Sequence, residues 1–433
     1  MTDATRSPSP DATPEAALGV VTSAAELLFA SGQTTERVVE AAERLGEALF
    51  LPIRILPNWG ELTVEIEGTS TSEVIPAMPL GVDMAKVLAV TTIVDQLCDG
   101  SLPRWQAHAA LTAAKALPPA STPRFALFAA IGAAALGVIF GAFDAPSLLL
   151  IAVSAGAGAL IRRWLARFGA NPFIQPLCAA AIAGGVAAAA GHLQLSHAQN
   201  LVALCPCMVL VPGPHILNGA MDLARTRIAL GLARLTYAGL IVMMICIGML
   251  AGLAAGGASL PDVGSSPPVP LIPDVIAAGF AVAAYGTFFS LPWKLLPFPI
   301  AVGMLAHASR WALISLAGAN PATGAFVACI LVSIVVTPVV DRLRLPFAAF
   351  AFSAVVSMMP GVFLFRTASA LVRLVALGPH APADLLTTIA ANGATAFVII
   401  LAMTFGLILP RMLFEHFLPP PKPHRAPAAT PSR

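Results

Sequence analysis

Two arrangements of apolar and polar positions divide the chain near residue 120. Before that point apolar residues are interleaved with polar ones. Val38, Val39, Ala42, Leu45 and Leu49 recur at helical spacing behind Thr34 and Thr35, and Pro52 ends the run. This spacing predicts an amphipathic helix. Leu62, Val64 and Ile66 then alternate with Thr63, Glu65 and Glu67, the period of a half-buried strand. Gly68 and the Thr/Ser residues after it predict a turn, and Glu73–Ala77 a second strand that pairs back. Asp83–Leu97 reads as a further helix with Asp83 as its N-cap.

After Arg124 the apolar positions run together. Ten stretches are each long enough to cross ~30 Å of hydrocarbon. They lie at roughly 125–142, 147–166, 173–191, 199–220, 235–256, 272–290, 295–314, 322–340, 346–374 and 386–410. The fourth and the ninth carry Pro-Gly in their interiors.

Composition excludes a soluble protein. Of 433 residues, 58% are hydrophobic and 11% charged, against roughly 25% charged in soluble chains, and mean hydropathy is +0.84. Of the 22 acids, 15 precede residue 121, which puts a boundary between two kinds of chain there. The expected division is a disordered polar tail over 1–14, an α+β domain over 15–120, membrane segments over 121–258 and 270–412, and a second tail over 413–433. A net charge of +2, with no basic stripe carrying interleaved aromatics, points to no nucleic-acid partner. The six cysteines show neither zinc nor disulfide spacing, and no cofactor is expected. No secretory signal is seen at the N-terminus.

Lys and Arg fix the expected orientation. Arg104, Lys115, Arg124, Arg162, Arg163, Arg167, Arg225, Arg227, Arg234, Lys294, Arg342, Arg344 and Arg411 all fall on one side if ten spans leave both termini in the cytoplasm. Arg310, Arg366 and Arg373 do not follow the rule. The membrane part also repeats itself. Ile151-Ala152-Val153, Arg163-Trp164 and Gly169-Ala170-Asn171-Pro172 recur as Ile300-Ala301-Val302, Arg310-Trp311 and Gly318-Ala319-Asn320-Pro321, and Pro212-Gly213 recurs as Pro360-Gly361. Each half then holds five spans, and an odd number inverts the second half. The expected fold is therefore an α-helical polytopic membrane protein of about ten transmembrane helices. They form two five-helix inverted repeats behind a small cytoplasmic α+β domain. Such repeats place a transporter's site near the midplane where the halves meet.

The Pro-Gly elements carry the candidate chemistry. Proline removes a backbone donor and glycine loosens the helix, so amides and carbonyls are freed in the membrane and must face protein, water or substrate. A helix resuming after Pro212-Gly213-Pro214 sets His215, Asn218 and Asp222 on one face, a polar stripe that reads as functional in an apolar segment. The alternative is a plain kink, with Asp222 capping a helix end at the interface. Pro360 and Gly361 are followed by Arg366 and Ser369. His307, Ser309 and Arg310 form a second polar group. Asn392 is placed to hydrogen-bond across helices, and Asn171 and Asn320, each before a proline, read as caps or direct participants.

The stretches LVPGPHILNGAMDLARTRIALGLAR, LPWKLLPFPIAVGMLAHASRWAL and VVSMMPGVFLF resemble, in this order, the bacterial threonine/serine exporter family. The resemblance covers about residues 17–412 and is similar to the fused, single-chain branch; two-subunit relatives are implicated in succinate export. It implies ten spans, a cytoplasmic N-terminal domain and export of small amino acids across the inner membrane, driven by the proton-motive force. The implied site residues are Pro212, Gly213, Asn218, Asp222, His307, Ser309, Arg310, Pro360 and Gly361, with Asn392 added from its place in the tenth span. His215 departs from the apolar residue frequent there.

For a zwitterionic substrate, Arg310 with a broken-helix amide end would take the carboxylate, and Asp222 with freed carbonyls the ammonium. Asp222, His215 and His307 are the candidate proton carriers: Asp222 would be protonated when the site is dry and ionised when Arg310 or the substrate ammonium approaches, with His215 as a relay. A dicarboxylate would instead want two cations. Further alternatives are a membrane-anchored enzyme or sensor acting through the N-terminal domain. Expected partners are the small-molecule substrate and membrane lipid, with a homo-oligomer left open.

Overall fold

The computed structural model describes residues 14–169, 171–260 and 269–417. Residues 1–13 and 418–433, Ala170 of the first repeat motif and Asp262 of one expected loop lie outside them. Seven elements precede the membrane helices: α1 (Pro14–Ala30), α2 (Thr35–Ala48), β1 (Ile53–Asn58), β2 (Gly60–Ile66), β3 (Ser72–Ala77), α3 (Met84–Cys98) and α4 (Ala107–Lys115). The strands form one antiparallel sheet in the order β1-β2-β3. Val64 stands opposite Ile55 and Glu73, and the alternation turns Leu62 and Val64 into the core. Asp83 caps α3 through a bond from the Lys86 amide (3.3 Å).

Two of these elements left no clear pattern in the sequence. The α1 sequence is apolar almost all round, so it shows no stripe. The β1 strand ends in Pro57-Asn58, which reads as a loop but is tolerated on a sheet edge. Because α1 begins at Pro14 and the last helix runs to Phe417, structured chain extends past both tail boundaries drawn at 14 and 413.

Twelve helices follow: α5 (Thr122–Ile139), α6 (Ala145–Ala166), α7 (Ile174–His192), α8 (Gln199–Met208), α9 (Gly213–Ala224), α10 (Ile228–Ala255), α11 (Leu271–Phe288), α12 (Pro297–Ser315), α13 (Pro321–Arg342), α14 (Phe347–Val355), α15 (Gly361–Leu377) and α16 (Ala383–Phe417). Among the described residues, eight helices are long and apolar enough to cross a membrane, and nine if α8 and α9, bent by 60°, make one span. The seventh expected span, α12, is not among them; it carries His307, Ser309 and Arg310. Leu149, Val153 and Leu160 of α6 and Leu240, Met243 and Ile247 of α10 face outward, as lipid-facing side chains do.

The same helix pairings occur in both halves. α5, α6 and α7 pack in succession, as do α11, α12 and α13; α7 packs on α10 as α13 does on α16. α9 reaches across to α16 while α15 reaches across to α10. The α7–α10 contact is backbone on backbone. A Cβ on Gly184 would lie 2.1 Å from the Met249 carbonyl oxygen, and one on Gly252 2.1 Å from that of Ala181.

The bundle has two distinct ends. At one, Arg37 meets Asp341 (3.0 Å), Glu36 meets Arg225, Asp99 meets Arg344, and Arg124 donates to the Leu291 carbonyl (3.3 Å). At the other, Ser147 bonds Ser196, His192 bonds the Gly256 carbonyl, and Trp311 donates to that of Val269 (2.7 Å). The N-terminal part sits on the first end, where the Lys/Arg pattern places its side of the membrane.

Candidate substrate site

Both Pro-Gly pairs break a helix, and the two breaks lie against each other at the centre of the bundle. A Cβ on Gly213 would lie 3.1 Å from the Val356 side chain, and one on Gly361 3.2 Å from that of Met208. Met208, Val211, Val356 and Met359 are all buried there. The α14 helix is buried along its whole length, so the surrounding helices enclose the breaks and satisfy the rule that irregular backbone at membrane depth must face protein or a cavity.

On the side of the N-terminal part, α9 carries Asn218 and Asp222 into a partly open recess lined also by Thr34, Thr35, Arg225 and Arg227. Asp222 is 3% exposed. Its Oδ2 accepts from the Thr35 hydroxyl (3.0 Å) and lies 3.3 Å from Arg234 Nε, outside hydrogen-bond geometry; its Oδ1 lies 3.7 Å from Arg227. Arg234 is 1% exposed and has the Phe29 ring beneath its guanidinium, 5.2 Å to the centroid. A buried carboxylate is thus compensated by two arginines and a hydroxyl, as its desolvation demands. Asn218 Nδ2 donates to the Gly32 carbonyl (3.2 Å), while its buried Oδ1 has no hydrogen-bond partner among the described residues.

A second recess is lined by Phe140, Arg310, Pro321, Ser357 and Pro360. Phe140 follows the last residue of α5, a helix that starts at the N-terminal part's end and runs about 27 Å at 1.5 Å per residue, so this recess belongs to the other end. Behind it His307 is fully buried, with Nδ1 3.3 Å from Asp274 and Nε2 3.0 Å from the Ser357 hydroxyl.

A family model described as threonine/serine exporter matches residues 19–256, and a second, described as threonine/serine exporter ThrE, matches residues 274–413. The chain belongs to the threonine/serine exporter family. It is a multi-pass membrane transporter, and no solved structure matches it.

The site residues that the sequence singles out in this exporter do not gather in one place. Asn218 and Asp222 line the first recess, Arg310 and Pro360 the second, with His307 behind the latter; Pro212, Gly213 and Gly361 form the crossing between them. The expected approach of Arg310 to Asp222 is not formed, because Arg234 and Arg227 hold that carboxylate instead. His215 makes no hydrogen bond to Asp222 and lies edge-on to Tyr237 (5.2 Å), so the expected relay between them has no direct path. Ser309 donates to the Ala306 carbonyl of its own helix (2.8 Å). Asn392 is half-buried and donates to the Thr388 carbonyl of its own helix (2.9 Å) rather than across to another. Asn320 caps α13 by accepting from the Thr323 amide (2.8 Å), whereas Asn171 accepts from the Phe173 amide in the turn ahead of α7, whose N-cap is Phe173.

Three participants went unnoticed in the sequence. Arg234 falls just ahead of the fifth expected span at 235–256, yet it is the one charged residue of the apolar α10, a functional signal in such a helix. Asp274, 4% exposed, has the same signature in the first turn of α11. Thr35 has no such signal, since its meeting with Asp222 spans 187 residues.

Proposed function

We propose that the chain is a proton-driven secondary exporter of threonine and serine in the inner membrane, with both termini cytoplasmic and ten spans arranged as two inverted repeats. The recurring helix pairings and the meeting of the two breaks support that arrangement. The observation that carries the substrate reading is the buried Asn218–Asp222–Arg234 group, whose Asn218 and Asp222, on the helix after the first break, line a recess. An amino acid is a zwitterion, and this group offers an anion and a free amide oxygen for its ammonium beside arginines for its carboxylate. Arg310 and the amide end of α15 form the corresponding cationic surface of the second recess. Alternating access then consists of opening the two recesses in turn on either side of the Met208, Val211, Val356 and Met359 barrier.

The dicarboxylate alternative rests on Arg225 and Arg227, which crowd the same recess. Cells loaded with a threonine-containing dipeptide separate the two. Efflux of threonine faster with the protein than without is expected, and equal efflux would sink the amino-acid reading; succinate loading tests the other. Coupling is assigned to Asp222, the carboxylate of the recess. In vesicles with an imposed pH gradient, Asp222→Asn is expected to retain threonine exchange, with weaker affinity, and to lose its response to the gradient. An unchanged response would move the proton carrier to His307 or His215.

A further inference from the structure

The turn between α1 and α2, with the first residue of α2, enters the first recess from the N-terminal part and engages Asn218 and Asp222 of α9. Thr35 donates its hydroxyl to Asp222 Oδ2 (3.0 Å), and the Gly32 carbonyl accepts from Asn218 Nδ2 (3.2 Å). Gly32 has φ of +88°, a conformation open to glycine at no steric cost, and the tight turn there delivers its carbonyl and the Thr35 hydroxyl side by side. One donor set against the carboxylate and one acceptor set against the amide are the two functions that the ammonium and carboxylate of an amino acid would present. Thr34, Thr35 and Glu36 form part of the recess wall.

We infer that residues 32–35 are an intramolecular pseudosubstrate: they occupy the polar subsite of the first recess, and threonine or serine binds there only in competition with them. This rests on the reading of the recess as the substrate site. It gives the N-terminal part a function in the transport cycle, that of closing its own side of the site when substrate is scarce. The hydroxyl on Asp222 also identifies where the substrate's donor binds. The segment is buried, and the ion pairs just after it can part. Glu36–Arg225 and Arg37–Asp341 are ion pairs with solvent access, which contribute little, and polar contacts of this kind between parts of a chain permit relative motion.

Two variants and a cross-link test the inference in the full chain. Thr35→Val removes the donor without removing a helix cap, since the α2 N-cap is Thr34 and makes no side-chain cap bond. The apparent KM for threonine in exchange assays is expected to fall about five- to tenfold, the effect of losing one hydrogen bond from the competitor, while Thr35→Ser stays near wild type. Arg37→Cys with Asp341→Cys, in a background with Cys98 and Cys178 replaced by serine, pins the segment's helix to α13 through a short thiol-reactive bridge. Threonine flux should fall on bridging and return on reduction, with each single cysteine unaffected by the reagent. A KM that is unchanged or raised in Thr35→Val, or full flux through the bridged protein, overturns the pseudosubstrate and leaves the recess as the site. Asn218→Leu separates the other failure. Wild-type exchange by that variant would remove the recess as the site, and the pseudosubstrate with it.

Discussion

The break at Pro212 is followed by a helix that carries Asn218 and Asp222 on its buried face, whereas the break at Pro360 is followed by one that carries Arg366 and Ser369. Both breaks free backbone at the centre of the bundle, and each glycine lets its break approach the other. The charges differ in origin. On the first side the helix after the break brings its own carboxylate, matched by Arg234 of α10 and covered by Thr35. On the second side the charged groups come from neighbours, Arg310 of α12 and Asp274 of α11 with His307, while the segment ahead of the break adds Ser357, and no described residue of the N-terminal part lines that recess. The break is thus shared architecture that supplies a place for a ligand, while the side chains around it make the two recesses chemically unequal. Chemically unequal recesses allow one substrate to bind the two with different affinity.

The largest expected effect separates charge from architecture. Arg234→Ala leaves the buried Asp222 carboxylate with Arg227 alone, and loss of one member of a buried pair costs about 3–5 kcal/mol. Thermal denaturation in detergent should show a large fall in stability, whereas Asp222→Asn with Arg234→Gln should restore much of it without restoring the pH response. If the double variant is as unstable as the single one, the pair is not the reason for the instability.

Next in size, Gly252→Ala tests the backbone contact of α7 and α10. Its Cβ would lie 2.1 Å from the Ala181 carbonyl oxygen, an overpacking cost of about 1–3 kcal/mol, while Gly393→Ala, with its nearest neighbour at 3.9 Å, should be silent. Equal stability of the two would mean that the helices separate without cost.

Ser357→Ala then asks whether the second recess relies on the His307 contact. Leaving a buried ring nitrogen unpaired costs about 1–3 kcal/mol. The expected result is a moderate loss of stability with threonine exchange by the first recess retained. Abolished threonine binding would make the two recesses one functional site. Smallest of all, Arg37→Ala removes an ion pair with solvent access and should shift stability by less than about 1 kcal/mol. A larger shift, read by the same melting assay, would show that the N-terminal part is fastened to the bundle more firmly than its contacts indicate.

Local pattern made much of this legible. Leu62 and Val64 alternate because one face of β2 is wet, and the alternation survives in the fold as buried residues. Pro212 and Pro360 break helices because each lacks the amide that the ladder needs, a property of the residue itself. Arg234 was within reach too, but a rule that collects arginines on one side of the membrane placed it in a loop, and only the start of α10 at Ile228 moved it into the helix. Asn392 erred the other way: an asparagine in an apolar segment suggests a partner across helices, and the helix's own carbonyl satisfied it.

By itself the sequence determined the apolar lengths that cross a membrane, the concentration of acids ahead of residue 121, the two helix breaks and the polar stripe after the first. Each of these follows from a residue and its near neighbours, through hydrophobic burial, charge or a missing backbone donor. The tertiary structure decided that Asp222 meets Arg234 and Thr35, that Arg310 lies in the other recess, and that Gly213 and Gly361 bring the two breaks together. Those are contacts between segments far apart in the chain, set by the packing of α9 against α10 and of the N-terminal part against the bundle, and no local period records a partner at that distance.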